Sequence, residues 1–262
     1  MHSPSFYQNP VVISINSQYP GGGAGISADI ETLSSLGCHC SPIITQLAIS
    51  EEGVIKDRHI PPTTLLIEQL RSVLEDISVD LISINELADI SQIEAIHTII
   101  SDYPRIPIVF NPRFSKEDDD GFIDALSELL LPEALIAILS KQQGELLHPG
   151  SDSIAALAQE LISYGSEYLL LTHSEEKPTR DKICNQLFSH RGFCQQYQWQ
   201  RLNNRFQGAG CTLSAALSAY LAHDFSMNES VQQAQVFTFK ALEKSRRIGM
   251  GALVPDRMHW AK

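Results

Sequence analysis

Apolar residues fall in short runs separated by stretches with helical spacing, and this alternation continues almost from end to end of the chain. Val11-Val12-Ile13-Ser14-Ile15 predicts a buried first strand, followed by a turn at Gly21-Gly22-Gly23 and a helix from about Ala24 to Leu36. Ser41 to Ala48 predicts a second strand. Pro61-Pro62 opens a helix in which Leu66, Leu70, Val73, Leu74 and Ile77 share one face. Leu81-Ile82-Ser83-Ile84 and Ile106 to Phe110 predict two further strands, with an amphipathic helix through Ile93, Ile96, His97 and Ile100 between them. The rhythm repeats with a helix near Phe122 to Leu130, a strand Leu135 to Leu139, a helix Ile154 to Tyr164 and a strand Tyr168 to Leu171. Strands alternating with helices in this way imply a mostly parallel sheet covered on both faces. After Leu171 the pattern changes. Ile183 to Phe188 and Phe193 to Trp199, split by Ser189-His190-Arg191-Gly192, predict an antiparallel hairpin, and helices starting near Gly210 and Asn228 close the chain. No low-complexity linker interrupts it, so residues 1–262 read as a single α/β domain.

A hydrophobic content of 43% and a charged content of 19% are those of a soluble globular protein. Thirty-one acidic against nineteen basic residues give a net charge of −12, which repels phosphate backbones and anionic lipid and argues against a nucleic-acid or membrane partner. No apolar run approaches the length of a membrane span, and the opening residues Met1 to Phe6 carry no basic leader region. Five cysteines, an odd number, point to a reducing compartment, so the cytoplasm is the expected location. Cys38-His39-Cys40 lacks a second Cys/His pair at metal-site spacing, and Cys184 and Cys194 read as strand residues, so no metal site is assigned.

The segment Gly208-Ala209-Gly210-Cys211-Thr212-Leu213-Ser214-Ala215-Ala216 carries the most chemistry. Two glycines flank a small residue, a thiol follows, and an Ala/Leu-rich helix begins. Bare backbone N–H groups can converge there on an anion, with the helix start adding its partial positive charge. The same field would favour a thiolate at Cys211. In parallel sheets ligands bind beyond the carboxyl ends of the strands, where this turn and the Gly21 to Gly25 turn both fall.

Pro20-Gly21-Gly22-Gly23-Ala24-Gly25-Ile26-Ser27-Ala28-Asp29, with Thr32 and Leu36-Gly37, resembles the N-terminal signature of the hydroxymethylpyrimidine/phosphomethylpyrimidine kinases, and Gly208 to Ala216 resembles their C-terminal signature. The resemblance covers nearly the whole chain. It implies a ribokinase-like three-layer α/β/α fold with a central mostly parallel sheet and a C-terminal antiparallel hairpin. It also implies transfer of the ATP γ-phosphate to a pyrimidine hydroxymethyl group or its monophosphate in thiamine biosynthesis, with ATP and Mg²⁺ as cofactors and a homodimeric assembly. Cys211 would be the general base. Gly208, Ala209 and Gly210 would form the anion hole, and Gly22, Gly23, Ile49, Glu86 and Asn111 would line the substrate site.

The departures from the resembled pattern remove charge. A pocket aspartate falls at Tyr19 and a glycine at Ser17; the pyrimidine-binding glutamine falls at Ile49, with Gln46 at an odd offset that points it to the opposite face unless the register slips. The pocket methionine falls at Glu86 after Asn85, an aspartate at Asn111, and the threonine of the anion hole at Ala209. The Asn-x-x-Glu that helps place Mg²⁺ falls at Ser140 and Gln143, and the lysine that reaches the nucleotide phosphates falls at Thr172, so the usual Mg and phosphate side chains are absent. Glu145 and Lys141 are the nearest substitutes. These losses support an alternative, a catalytically impaired paralogue that binds a small ligand or acts as a regulator.

Other residues read more plainly. Glu86 could accept from an exocyclic amine, but strand-end glutamates are usually solvated. Glu117-Asp118-Asp119-Asp120 reads as a solvated acidic loop, Arg113 as a surface residue able to contact a phosphate, and His173 as a strand-end residue. Trp199 and Trp260 are expected to pack.

Overall fold

The computed structural model describes residues 9–51, 54–175 and 181–261. The segment read for a leader, Met1 to Phe6, lies outside them. The strands are β1 (Val11–Gln18), β2 (His39–Glu51), β3 (Val54–His59), β4 (Leu81–Ile84), β5 (Ile108–Phe110), β6 (Ile136–Ser140), β7 (Tyr168–Thr172), β8 (Lys182–Ser189) and β9 (Gly192–Gln200). The helices are α1 (Ile26–Ser35), α2 (Thr63–Asp76), α3 (Ile90–Ile100), α4 (Asp120–Ala125), α5 (Lys141–Leu147), α6 (Ile154–Ile162), α7 (Ala209–Ala222) and α8 (Met227–Glu243). A π-helical turn, Leu126–Leu130, extends α4.

All nine strands join one sheet in the order β3-β2-β1-β4-β5-β6-β7-β8-β9. Pairings from β2 through β7 are parallel, while β3, β8 and β9 add antiparallel edges. The expected parallel sheet and the expected hairpin are both present. Because side chains alternate across a sheet, neighbouring residues of each parallel strand enter separate cores. Ile13, Ile82, Phe110, Leu139 and Leu171 pack with Leu66, Ile96 and Leu157 of α2, α3 and α6. Val12, Leu81, Val109, Ile138 and Leu170 pack with Leu33, Leu217 and Val231 of α1, α7 and α8. That arrangement makes the three layers.

The polar positions of β1 need their own partners. Ser14 and Asn16 are buried, and both donate to Asp29 Oδ2 of α1 at 2.7 Å. Among the described residues no helix is long and apolar enough to cross a membrane.

Two elements are not predicted by the apolar pattern. The sequence of β3, Val-Ile-Lys-Asp-Arg-His, has no sustained alternation, and the strand forms because it can pair with the edge of β2. Helix α5 is short and depends on a capping box: Ser140 Oγ accepts from Gln143 N, and Gln143 Oε1 accepts from Ser140 N.

Candidate active site

The two glycine turns meet. Gly208 caps α7 at φ +84°, and a Cβ on it would lie 1.9 Å from the carbonyl oxygen of Gly23. Gly25 caps α1 at φ +67°, where a Cβ would lie 2.1 Å from Ser17 O. Only glycine fits such left-handed, close-packed positions. The Gly25 N–H then points across to Cys211, donating to Sγ at 3.4 Å. Arg257, 1% exposed, fastens the pair: its Nη2 donates to Gly23 O at 2.7 Å and its Nε to Thr212 Oγ1 at 3.0 Å. Gly22 closes the first turn through its N–H to Tyr19 O at 3.0 Å.

At the start of α7, Thr212 N and Oγ1 both donate to Gly208 O. The N–H groups of Ala209, Gly210 and Cys211 have no acceptor among the described residues, as expected for a first helical turn. Ala209 and Gly210 line a cavity of about 450 Å³ together with Asn111, Ser140, Gln143 and Thr172. Its apolar wall includes Trp199, stacked on Phe239 with ring centroids 5.7 Å apart, so Trp199 borders an open space as well as packing. Trp260 does not pack: it is 59% exposed, its Nε1 donating to Ser35 Oγ at 2.6 Å.

Cys211 is half-buried, and its thiol is pushed up to about 11 by burial first and by the charge of Asp29, against the Gly25 N–H, which pulls it down. The expected thiolate is therefore corrected. A helix start offers only a fraction of a charge, which does not offset desolvation beside two carboxylates, Asp29 and Glu86.

A second, wider cleft of about 1090 Å³ is bordered by Glu86, whose charge reaches the thiol, and by Arg113. Glu86 is not a solvated strand end; its side chain is 13% exposed. Tyr19 Oη donates to Glu86 Oε2 at 2.6 Å, Arg113 Nη1 donates to Tyr19 Oη at 3.2 Å, and the guanidinium lies 3.6 Å from the same carboxylate. Burial, then the neighbouring Glu86 charge, holds the Tyr19 phenol well above its usual range.

Ile49 does not take the place expected for it. It is 61% exposed on the β2–β3 edge, paired with Asp57. Gln46, buried, is the residue of β2 that holds Glu86 from behind the cleft, donating from Nε2 to Glu86 Oε1 at 3.2 Å and to Ser17 Oγ at 2.9 Å. The register slips: Asn16 pairs with Ile44 but Gln18 with Leu47, so β2 carries an extra residue and both Thr45 and Gln46 turn inward. Thr45 Oγ1 binds Glu86 O at 2.8 Å.

Asn111 and Asn85 join the floor of the site to α7. Asn111 Nδ2 and Ser214 Oγ both donate to Asn85 Oδ1, at 3.1 and 2.9 Å. Thr172 is held by Leu139 O at 3.4 Å. Lys141 does not replace the missing cation; it lies 3.7 Å from Glu145, donates to Glu175 O, and borders a separate pocket.

The profile of the family described as phosphomethylpyrimidine kinase matches residues 20–256. The chain belongs to that family. It is 25% identical to the probable thiamine biosynthetic bifunctional enzyme, chloroplastic, of Oryza sativa subsp. japonica, over 92% of this chain and 46% of that protein. It thus spans about half the length of the bifunctional relatives it matches. It is 30% identical to the hydroxymethylpyrimidine/phosphomethylpyrimidine kinase of Salmonella typhimurium, over 88% of this chain and 90% of that one. In fold it matches the pyridoxal kinase from Staphylococcus aureus, solved in complex with pyridoxal, with a TM-score of 0.86 at 21% identity over 97% and 95% of the two chains. The ribokinase-like architecture implied by the signatures is the one observed.

For this family member the nucleotide and the metal fare differently. A cavity lined by apolar side chains and by the partnerless amides of Ala209 and Gly210 fits a nucleotide and its phosphates. Mg²⁺ does not fit the residues at the Asn-x-x-Glu positions. Ser140 and Gln143 are neutral and committed to capping α5, and Gln143 Nε2 donates to Pro112 O at 2.9 Å. The described residues hold no cluster of three or more His, Cys, Asp or Glu side chains suited to a metal ion.

Proposed function

We propose that this chain moves the terminal phosphoryl group of ATP onto a hydroxymethylated pyrimidine, or onto the monophosphate of one, as a step of thiamine biosynthesis. The observation that carries this reading is the free first-turn amides of α7 set beside the thiol of Cys211, in a chain matched by the kinase family over residues 20–256. The names of the rice and Salmonella relatives support the same chemistry.

In the first transfer the acceptor oxygen forms a bond to the γ-phosphorus as the bridging β–γ oxygen bond breaks, and ADP leaves. The acceptor's proton passes to the sulfur of Cys211 in its thiolate form. The transition state is loose and its charge sits on peripheral oxygens, where the amides of Ala209 and Gly210 would meet it. Glu86, Tyr19 and Arg113 would form the acceptor side of the site, with Gln46 in the role the resemblance gave to Ile49. In the second transfer a phosphate oxygen attacks and has no proton to lose. One ribokinase-like domain spanning 1–262, a homodimeric assembly and a cytoplasmic location complete the proposal; five free cysteines support a reducing compartment.

The neutral Ser140, Gln143 and Thr172 also suit a protein that binds a ligand without turnover, and one assay separates the two. ADP release is followed with hydroxymethylpyrimidine and Mg-ATP for the wild type and for Cys211→Ala. Turnover that falls in the variant is expected. Calorimetric binding of the pyrimidine with no ADP released by the wild type would overturn the kinase reading.

A further inference from the structure

We infer that Arg201 supplies the positive charge for the nucleotide phosphates that the position of Thr172 no longer provides. The inference rests on the nucleotide reading above and adds a residue to it. Among the described residues lining the 450 Å³ cavity, Arg201 is the one side chain with a full charge, and no carboxylate lines that space. His173, also at its wall, is held below its usual range by burial first, which keeps the ring neutral near pH 7. An anion placed against the amides of Ala209 and Gly210 therefore shares its cavity with a single guanidinium.

The setting of Arg201 suits that role. It follows directly on β9, and its Nη2 lies 3.6 Å from Glu175 Oε1 and donates to Lys182 O at 3.4 Å. Both contacts are long. Glu175 is itself tied to the sheet, its Oε1 accepting from Cys184 N at 2.9 Å. The carboxylate thus steers the guanidinium without saturating it. Nε of Arg201 is buried with no acceptor. A guanidinium has five N–H donors in a fork that matches phosphate oxygens, and here most of that capacity is uncommitted. The competing role is purely structural, a tie between the end of β9 and the β7–β8 connection.

Titration calorimetry with adenosine, ADP and a non-hydrolysable ATP analogue separates the two roles. In the wild type, affinity should rise with the number of phosphates. Arg201→Ala should lose about 10- to 100-fold for ADP and the analogue, the usual loss for a charge-assisted hydrogen bond, and should keep the wild-type affinity for adenosine. Arg201→Lys should recover part of the loss, as a point charge without the fork. Thermal melting of both variants guards against a folding defect, and Arg201→Lys alone carries the test if Arg201→Ala does not fold. Equal losses for adenosine and ADP, or ADP affinity unchanged in a variant of a nucleotide-binding wild type, would overturn the role of Arg201 and leave the kinase reading standing. A wild type that binds no nucleotide at all would overturn the kinase reading and Arg201's role together.

Discussion

The carbonyl oxygen of Gly23 lies against the α-carbon of Gly208, so closely that a methyl group on Gly208 would sit 1.9 Å from it. That contact joins residues at opposite ends of the chain and sets the start of α7 beside the thiol-binding turn. The geometry tolerates no side chain on one partner and leaves the other's carbonyl free for Arg257. The arrangement of the candidate site therefore depends on backbone packing more than on side-chain contacts.

Gly208 and Gly210 should respond differently to the same substitution. Gly208→Ala combines a left-handed φ with a steric overlap and should cost about 3 kcal/mol or more, a melting shift on the order of 10 °C. A Cβ on Gly210 meets nothing within 4 Å, so Gly210→Ala should melt within a degree or two of wild type. Its methyl group would project beside the anion hole, so nucleotide affinity and turnover should fall while stability does not. Equal melting losses in the two variants would contradict this division.

Arg257 should matter for stability far more than its exposed partner. Its Nη1 pairs with Glu31 at 2.9 Å, but that carboxylate is 48% exposed and can be resolvated. Arg257→Met would leave the buried Gly23 oxygen without its donor and loosen the link to Thr212, a loss of roughly 2–4 kcal/mol. Glu31→Gln should cost under about 1 kcal/mol, as for other exposed pairs. Urea unfolding of both variants reads the contrast, and a larger loss in Glu31→Gln would mean that the ion pair, not the turn contact, is what Arg257 secures.

Much of the fold is legible because both faces of the parallel sheet are buried, which forces the continuous apolar runs of β1, β4, β6 and β7 into the sequence. The glycine turns are legible too, since a positive φ selects the residue type itself. What is not legible depends on distant partners. The extra residue in β2 that turns Gln46 inward leaves no local mark, so the resemblance assigns the place to Ile49 and an even-odd count turns Gln46 to the opposite face. Arg201 lies in an irregular connection with no motif around it, and only the assembled cavity shows it as the one full charge among the described residues lining that space. The thiol of Cys211 is perturbed by Asp29 and Glu86, both remote in sequence, which a reading of its own helix start cannot include.

Asp29 should make the fold weaker at neutral pH than in mild acid. Burial pushes its carboxyl up to about 6, against the opposing pull of Asn16, Ser14 and the Arg257 charge. Its Oδ1 is buried and has no partner. In the unfolded chain the group titrates near pH ~4. The folded state thus holds the proton more tightly, so this contribution to stability is full below about pH 4 and is lost as pH rises through about 6. The whole window is worth roughly 3 kcal/mol, about half of it between pH 5 and 7.5. Asp29→Asn cannot titrate, so its stability relative to wild type should improve over that interval in urea titrations. A difference between the two proteins that does not change with pH would show that Asp29 keeps an ordinary carboxyl.

Cys211 should be needed for one phosphoryl transfer and dispensable for the other. With its thiol pushed up to about 11, the resting group is protonated at neutral pH, and a hydroxyl acceptor must wait for the scarce thiolate. Transfer to a hydroxymethyl group should therefore climb with pH, about tenfold per unit across pH 6.5–9 where no other group limits it. Cys211→Ala should slow that transfer by about 10²–10⁴-fold, the usual worth of a general base. A phosphate acceptor brings its own anionic oxygen, so its phosphorylation should change only a few-fold in the same variant and show no comparable rise with pH. Measuring ADP release with each acceptor across that pH range decides the matter. An equal loss for both acceptors in Cys211→Ala, or a flat profile above pH 7 for the hydroxyl acceptor, would remove Cys211 from the proton's path and leave the α7 amides as the catalytic core of the site.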